Sequence, residues 1–290
     1  MLFRSEVAAS PTGKVNKLTM PEVIVKSVAR YPIPESFSLS SVSSFRKCPL
    51  EYKYRHLLKL PSPGGPALSY GSTIHKTVEL FLKLWQSRKE VVQADLFGKT
   101  PAACTLPTFN ELMELYEKSW IDDWYDSKKQ KAEYRTKKGP AHLKNFYDTF
   151  VAAPPTIKYI EQFFKIGMGP YKFTGKIDRL DAREGGGAII DYKTTAKPPA
   201  NLEKVDRDQL KIYQIAAQEF LREPVVSAQY WYLESNTLSD PFVASAEDLS
   251  ALKSDYTKVI EKIIQTVERN SFLAADEAAT KHECKFRHLE

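Results

Sequence analysis

The sequence predicts an α/β fold whose first half is largely helical, and three observations carry that expectation. Apolar residues before residue 153 recur at helical spacing, most clearly at Ile74, Val78, Phe81 and Trp85. Beyond Pro154-Pro155 the pattern shortens to strand-like runs at 157–164 and 171–181, then the turn-forming DAREGGG at 181–187 and an apolar run at 188–194. A helical stretch at 206–221 separates these from one more strand at 225–233, an order that suits a sheet flanked by helices.

Each element has a local reason. Residues 1–35 carry Pro11, Pro21, Pro32 and Pro34 and are expected to form a flexible tail or linker before a single domain over 36–290. That domain divides into a mainly helical part, 36–153, and a sheet core with a C-terminal helix, 154–290. The serine-rich SLSSVSS offers caps for a short helix ending at Cys48-Pro49, and Pro49 starts a second one over 50–54. PSPGGP at 61–66 is a loop before a long helix from about Ser72, with 87–110 less regular. Helical spacing resumes at Phe109 and runs through Leu112, Tyr116, Trp120 and Trp124, and another helix is expected over 140–151. An Asp cap opens the helix at 206, and a final helix covers 246–268.

Composition bounds the function. The chain has 290 residues, 42% of them hydrophobic and 27% charged, with a mean hydropathy of −0.40. These values exclude collagen-like, fully disordered and multi-span membrane proteins. Three scattered cysteines point to a reducing compartment, with the cytoplasm the expected location, and the N-terminus has no secretory h-region. The net charge of +6 is small, yet KKQKAEYRTKK at 128–138 holds six basic residues and one acid. Such a run is ordinarily a solvated helix face. Clustered basic residues also suit the phosphate backbone of DNA, with Lys128, Lys129, Lys131, Arg135, Lys137 and Lys138 as the candidates. The aromatic residues around it, Trp120, Trp124, Tyr125 and Tyr134, serve either as core or as base-stacking platforms.

Asp191-Tyr192-Lys193 is the most informative triplet. Alternation puts Asp191 and Lys193 on one face of a strand, about 7 Å apart. Ile189-Ile190 mark that strand as buried, so the Asp that follows needs a partner. On the preceding antiparallel strand, about 4.8 Å away, Asp178 can present a second carboxylate. Two converging carboxylates repel each other, and a hard divalent cation relieves the repulsion.

Four motifs then occur in order: G-x-x-x-H (Gly71 to His75), G-x-x-D (Gly175 to Asp178), D-x-K (Asp191 to Lys193) and Q-x-x-x-Y (Gln209 to Tyr213). Together they resemble the RecB-type nucleases of the PD-(D/E)XK superfamily over residues 36–290. The middle segment SWIDDWYDSKKQKAEYRTKKGPAHLKNFY looks closest to nuclease domains fused C-terminally to UvrD/Rep-like helicases. The resemblance implies a restriction-endonuclease-like core with a mixed central sheet. It implies Mg²⁺ or Mn²⁺ held by His75, Asp178, Asp191 and the Tyr192 carbonyl, with Glu161 reaching the same cluster. Lys193 would orient the water and stabilise the transition state, and Gln209 and Tyr213 would position Lys193 or the DNA, although both could simply pack their helix on the sheet. Members often carry an iron–sulfur cluster on four cysteines. Cys48 and Cys284 match two of those positions, but Lys281 and Glu290 stand at the others and Cys104 matches none, so no intact cluster is expected. Phe286 and Leu289 are expected to pack the last segment on the N-terminal helices.

The function expected is a DNase, an exonuclease on single-stranded or end-bearing DNA in repair or recombination, working with a helicase motor in cis or in trans. The alternative is a catalytically inactive, nuclease-like DNA-binding or scaffolding module. A nuclease with structure-specific or RNA-directed incision is a further one.

Overall fold

The computed structural model describes residues 31–60, 64–95, 105–194, 207–274, 284 and 286–287, with backbone alone over 90–95. Helix α1 (Leu39–Lys47) starts in a capping box between Ser38 and Ser41. Cys48 caps α2 (Pro49–Tyr52), which runs on as a wider π turn over Lys53–Leu57. Helix α3 spans Pro66–Asp95, so helix begins before Ser72 and continues through the first part of the stretch expected to be irregular. The capping box of Thr108 and Glu111 opens α4 (Phe109–Ser119). Helices α5 (Lys128–Glu133) and α6 (Gly139–Ala152) are joined by a π turn over Tyr134–Lys138.

The helix from Phe109 stops at Ser119 and does not continue through Trp124 as expected. Trp120 is already the extended C-cap of α4, and Trp124 sits at φ 67° with 46% of its surface exposed. The four-residue spacing misleads because Trp120, Tyr125, Tyr134 and Tyr70 pack as a ring cluster built from separate segments. Trp120 stacks on Tyr125 with centroids 5.4 Å apart, Tyr125 tilts against Tyr134, and Tyr134 meets Tyr70 edge-on at 4.8 Å. These three candidate stacking residues are therefore largely committed to the protein's own packing.

Strands β1 (Ile157–Met168), β2 (Tyr171–Arg183) and β3 (Gly186–Lys193) form an antiparallel meander. Asp181 is thus a strand residue rather than part of the turn. Helix α7 (Asp208–Ala216) begins at Asp208, with Arg207 as an N-cap that makes no side-chain bond; position 206 lies outside the described residues. With the π turn Ala217–Leu221 that follows, α7 crosses over to β4 (Val225–Tyr232). That crossover is what a parallel β3–β4 pair requires. The short β5 (Thr237–Leu238) closes the five-stranded order β1-β2-β3-β4-β5, and α8 (Ala246–Arg269) ends the core.

The sheet separates two hydrophobic layers, and strand alternation sorts residues between them. Ile189, Tyr230 and Tyr232 join α1, α2, α7 and α8 in one core. Ile190, Tyr192, Trp231 and Leu233 join α3, α4 and α6 in the other. The alternation changes phase at one level of β1 and β2. Ile160 packs on the α3 side, whereas Phe164, four residues on, lies in the opposite core. Between them Glu161 adopts φ 48°, a left-handed conformation costly for a residue with a Cβ. On β2, Ile177 and Leu180 are three apart and yet share one core. The sheet is kinked where Glu161 and Asp178 stand.

Candidate active site

That kink lies at the mouth of a fork between β2 and β3. The last β2–β3 pair is Arg179 with Ile190. Past it, the Tyr192 N–H donates to Asp178 Oδ2 at 3.1 Å, so a side chain replaces the ladder. Two glycines explain the close approach. Gly175 faces Phe164 across the sheet, and a Cβ there would come within 2.6 Å of the phenyl ring. Gly71 lets α3 lie against the end of β3, since a Cβ would meet Thr194 Oγ1 at 3.3 Å. One helical turn later, His75 reaches the Tyr192 carbonyl, with Nε2 at 3.0 Å.

If Nε2–H donates that bond, Nδ1 faces carboxylates: Asp178 Oδ2 at 3.4 Å and Glu161 Oε1 at 3.9 Å. In the neutral ring a lone pair then points at two acids, which is repulsive unless a proton or a cation lies between them. One ligand atom from each of His75, Glu161 and Asp178 lies within 4.8 Å of the others. Asp178 is buried, and its carboxyl is held well above the usual range, first by desolvation and then by the charges of Asp191 and Glu161. This donor set of carboxylate oxygens and one imidazole suits a divalent cation.

Asp191 stands outside that compact group. Its Oδ1 accepts from Gln209 Nε2 at 2.7 Å. Its Oδ2 lies 2.6 Å from Lys193 Nζ, in ion-pair contact but without hydrogen-bond alignment. Lys193 Nζ donates to Gln209 Oε1 at 2.7 Å and sits 4.6 Å from the centre of the Tyr230 ring. Gln209 Nε2 also donates to Tyr213 Oη at 2.9 Å. Burial and the nearby charges of Asp178 and Asp191 raise the Tyr213 phenol well above its ordinary range. One glutamine amide thus fixes the acid, the lysine and the tyrosine at once. Sequence spacing missed Tyr230, because an aromatic residue in strand alternation looks like any core residue.

The other face of the sheet carries a separate network. Arg179 donates to both oxygens of Asp181, from Nε at 2.7 Å and Nη2 at 2.5 Å, and its Nη1 donates to Tyr192 Oη at 3.1 Å. Arg179 thus pairs with Asp181, two residues further along β2. In the basic run, Lys131 pairs with Asp122 at 2.9 Å and Arg135 Nε with Glu117 at 3.1 Å, while Lys138 lies over the Tyr134 ring at 4.6 Å. Lys128, Lys129 and Lys137 are exposed.

A mixed five-stranded sheet flanked by helices is the α/β core of restriction-endonuclease-like proteins, a class of metal-dependent nucleases. Residues 36–289 match the family model described as PD-(D/E)XK nuclease superfamily, and the chain belongs to that superfamily. No curated protein matches the sequence. Among the described residues, no helix is long and apolar enough to cross a membrane.

Proposed function

We propose that this protein is a Mg²⁺- or Mn²⁺-dependent deoxyribonuclease, acting as an exonuclease on single-stranded or end-bearing DNA. What carries the reading is the meeting of His75, Glu161 and Asp178 beside an Asp191–Lys193 pair held by Gln209. His75, Glu161 and Asp178 would hold the cation, with Asp191 and the Tyr192 carbonyl beside them. When bound, the cation would neutralise charge on the phosphodiester and make water more acidic. Lys193 presents its ammonium to phosphate oxygens whose charge grows in the transition state. Gln209 keeps that ammonium directed, and Tyr213 holds Gln209. Water attacks phosphorus and the bond to the 3′ oxygen breaks, leaving 5′-phosphate and 3′-hydroxyl ends. Action in the cytoplasm rests on the scattered cysteines, a role in repair or recombination on the RecB-type resemblance, and work beside a UvrD/Rep-like helicase motor on the resemblance of the segment around 119–147.

Purified protein should degrade linear labelled DNA with either metal and stop on addition of EDTA, while covalently closed circles survive. Cut circles would replace exonuclease with endonuclease action. Intact linear DNA in both metals would favour the non-catalytic binding module. Lys128, Lys129 and Lys137 are the part of the basic run proposed to hold phosphates. Replacing all three by alanine should weaken single-strand binding and flatten its dependence on log salt by about 2, roughly 0.7 per phosphate contact. An unchanged slope in a titration by fluorescence anisotropy would remove them from the interface.

A further inference from the structure

We propose that Cys48 and Cys284 form a reversible disulfide clasp with a small hydroperoxide as oxidant, fastening the C-terminal residues to the helices that precede the core. The two thiols are separated by 236 residues, yet Sγ of Cys48 lies 3.2 Å from Sγ of Cys284. Both are buried, at 0% and 4% exposure. The sulfurs need approach by only about 1 Å to reach the disulfide length of about 2.0 Å. Cys48 is already oriented, because its sulfur caps α2 by accepting the Glu51 N–H at 3.4 Å.

The surroundings keep the two segments together. The Phe286 ring stacks on Tyr54 with centroids 5.0 Å apart. The Leu50 N–H donates to the Leu273 carbonyl at 3.2 Å, and Phe272 meets Tyr31 edge-on at 6.0 Å. Packing thus supplies the encounter that a disulfide otherwise has to impose. Leu289, the other residue expected in this contact, lies outside the described residues, as does Cys104.

The chemistry balances with peroxide alone. With hydrogen peroxide, Cys284, the more exposed thiol, gives up its proton and attacks one oxygen as its thiolate; the O–O bond breaks, a sulfenic acid forms, and the departing hydroxide takes that proton and leaves as water. The Cys48 sulfur then attacks that sulfenic sulfur, the S–O bond breaks, and a second water leaves with the Cys48 proton. Two thiols are oxidised to one disulfide, and the two peroxide oxygens are reduced to water. Burial, followed by the hydrogen bond with Cys48, pushes the Cys284 thiol up to about 11. The reaction is therefore slow and selective for small oxidants.

The test uses the full chain carrying Cys104→Ser, treated with excess hydrogen peroxide under native conditions. Both remaining thiols should be lost to alkylation together, and peptide mapping should recover residues 48 and 284 as one linked fragment. The melting temperature should rise by about 5 °C or more and return on addition of dithiothreitol. Adding Cys48→Ser or Cys284→Ser should abolish that rise. Two thiols that stay alkylatable, or that pass separately to sulfinic acids with no linked fragment, would overturn the clasp. The readouts are thiols and thermal stability, so they are independent of DNA cleavage.

Discussion

Asp178→Asn should reduce DNA cleavage by about 10³-fold or more, the scale of losing charge stabilisation at a transferring phosphate, while the protein stays folded. The substitution is nearly isosteric, and its amide oxygen can still accept the Tyr192 N–H that Asp178 now holds at 3.1 Å. What disappears is a buried charge. Its carboxyl is raised well above the ordinary range by desolvation, then by Asp191, then by Glu161. A raised carboxyl pKa makes the ionised form a cost to the folded state above the unfolded pKa, and that cost vanishes as the pH falls below it. At neutral pH the asparagine variant should therefore melt at or above the wild-type temperature in EDTA. Wild type should gain stability as Mn²⁺ is added, whereas the variant should gain little. A lower melting temperature in EDTA with cleavage intact would mean that Asp178 serves the fold and not the site. Stability held at the expense of activity is the signature of a functional acid, and few structural residues produce it.

Asp181→Ala should have the largest effect on stability, about 3–5 kcal/mol in chemical denaturation. Arg179 and Asp181 are both buried, and Asp181 accepts from Nε and Nη2 of that guanidinium. Removing the acid leaves a desolvated cation whose remaining side-chain partner is a neutral phenol, Tyr192 Oη. The double replacement Arg179→Met with Asp181→Leu removes the charge as well as its partner and should recover most of the loss. A single-variant loss below about 1 kcal/mol would show that water reaches the pair. Because Tyr192 bonds Arg179 through its hydroxyl and meets His75 through its carbonyl, the double variant also tests how far this network steadies the site.

Much of the architecture was legible because local rules agreed with the global fold. Strand alternation around Ile189-Ile190 put Asp191 and Lys193 on one face, and they do pair. The four-residue spacing of Gln209 and Tyr213 put them on one side of a helix, and they are bonded. Helical spacing misled at Trp120, which caps α4 and stacks on Tyr125 from beyond the helix, and at Trp124, which lies past the helix end at a positive φ.

The sequence by itself determined which residue types can bind a hard cation, their order along the chain, and the α/β class, because periodicity and turn chemistry are local properties. The tertiary structure alone decided three things. Glu161 joins His75 and Asp178 at a kinked level of the sheet. One Gln209 amide from α7 bonds Asp191, Lys193 and Tyr213 together. Two cysteines 236 residues apart come into contact. Each depends on strand phase or on packing between distant segments, and no local pattern encodes a left-handed residue within a strand or the meeting of segments 236 residues apart.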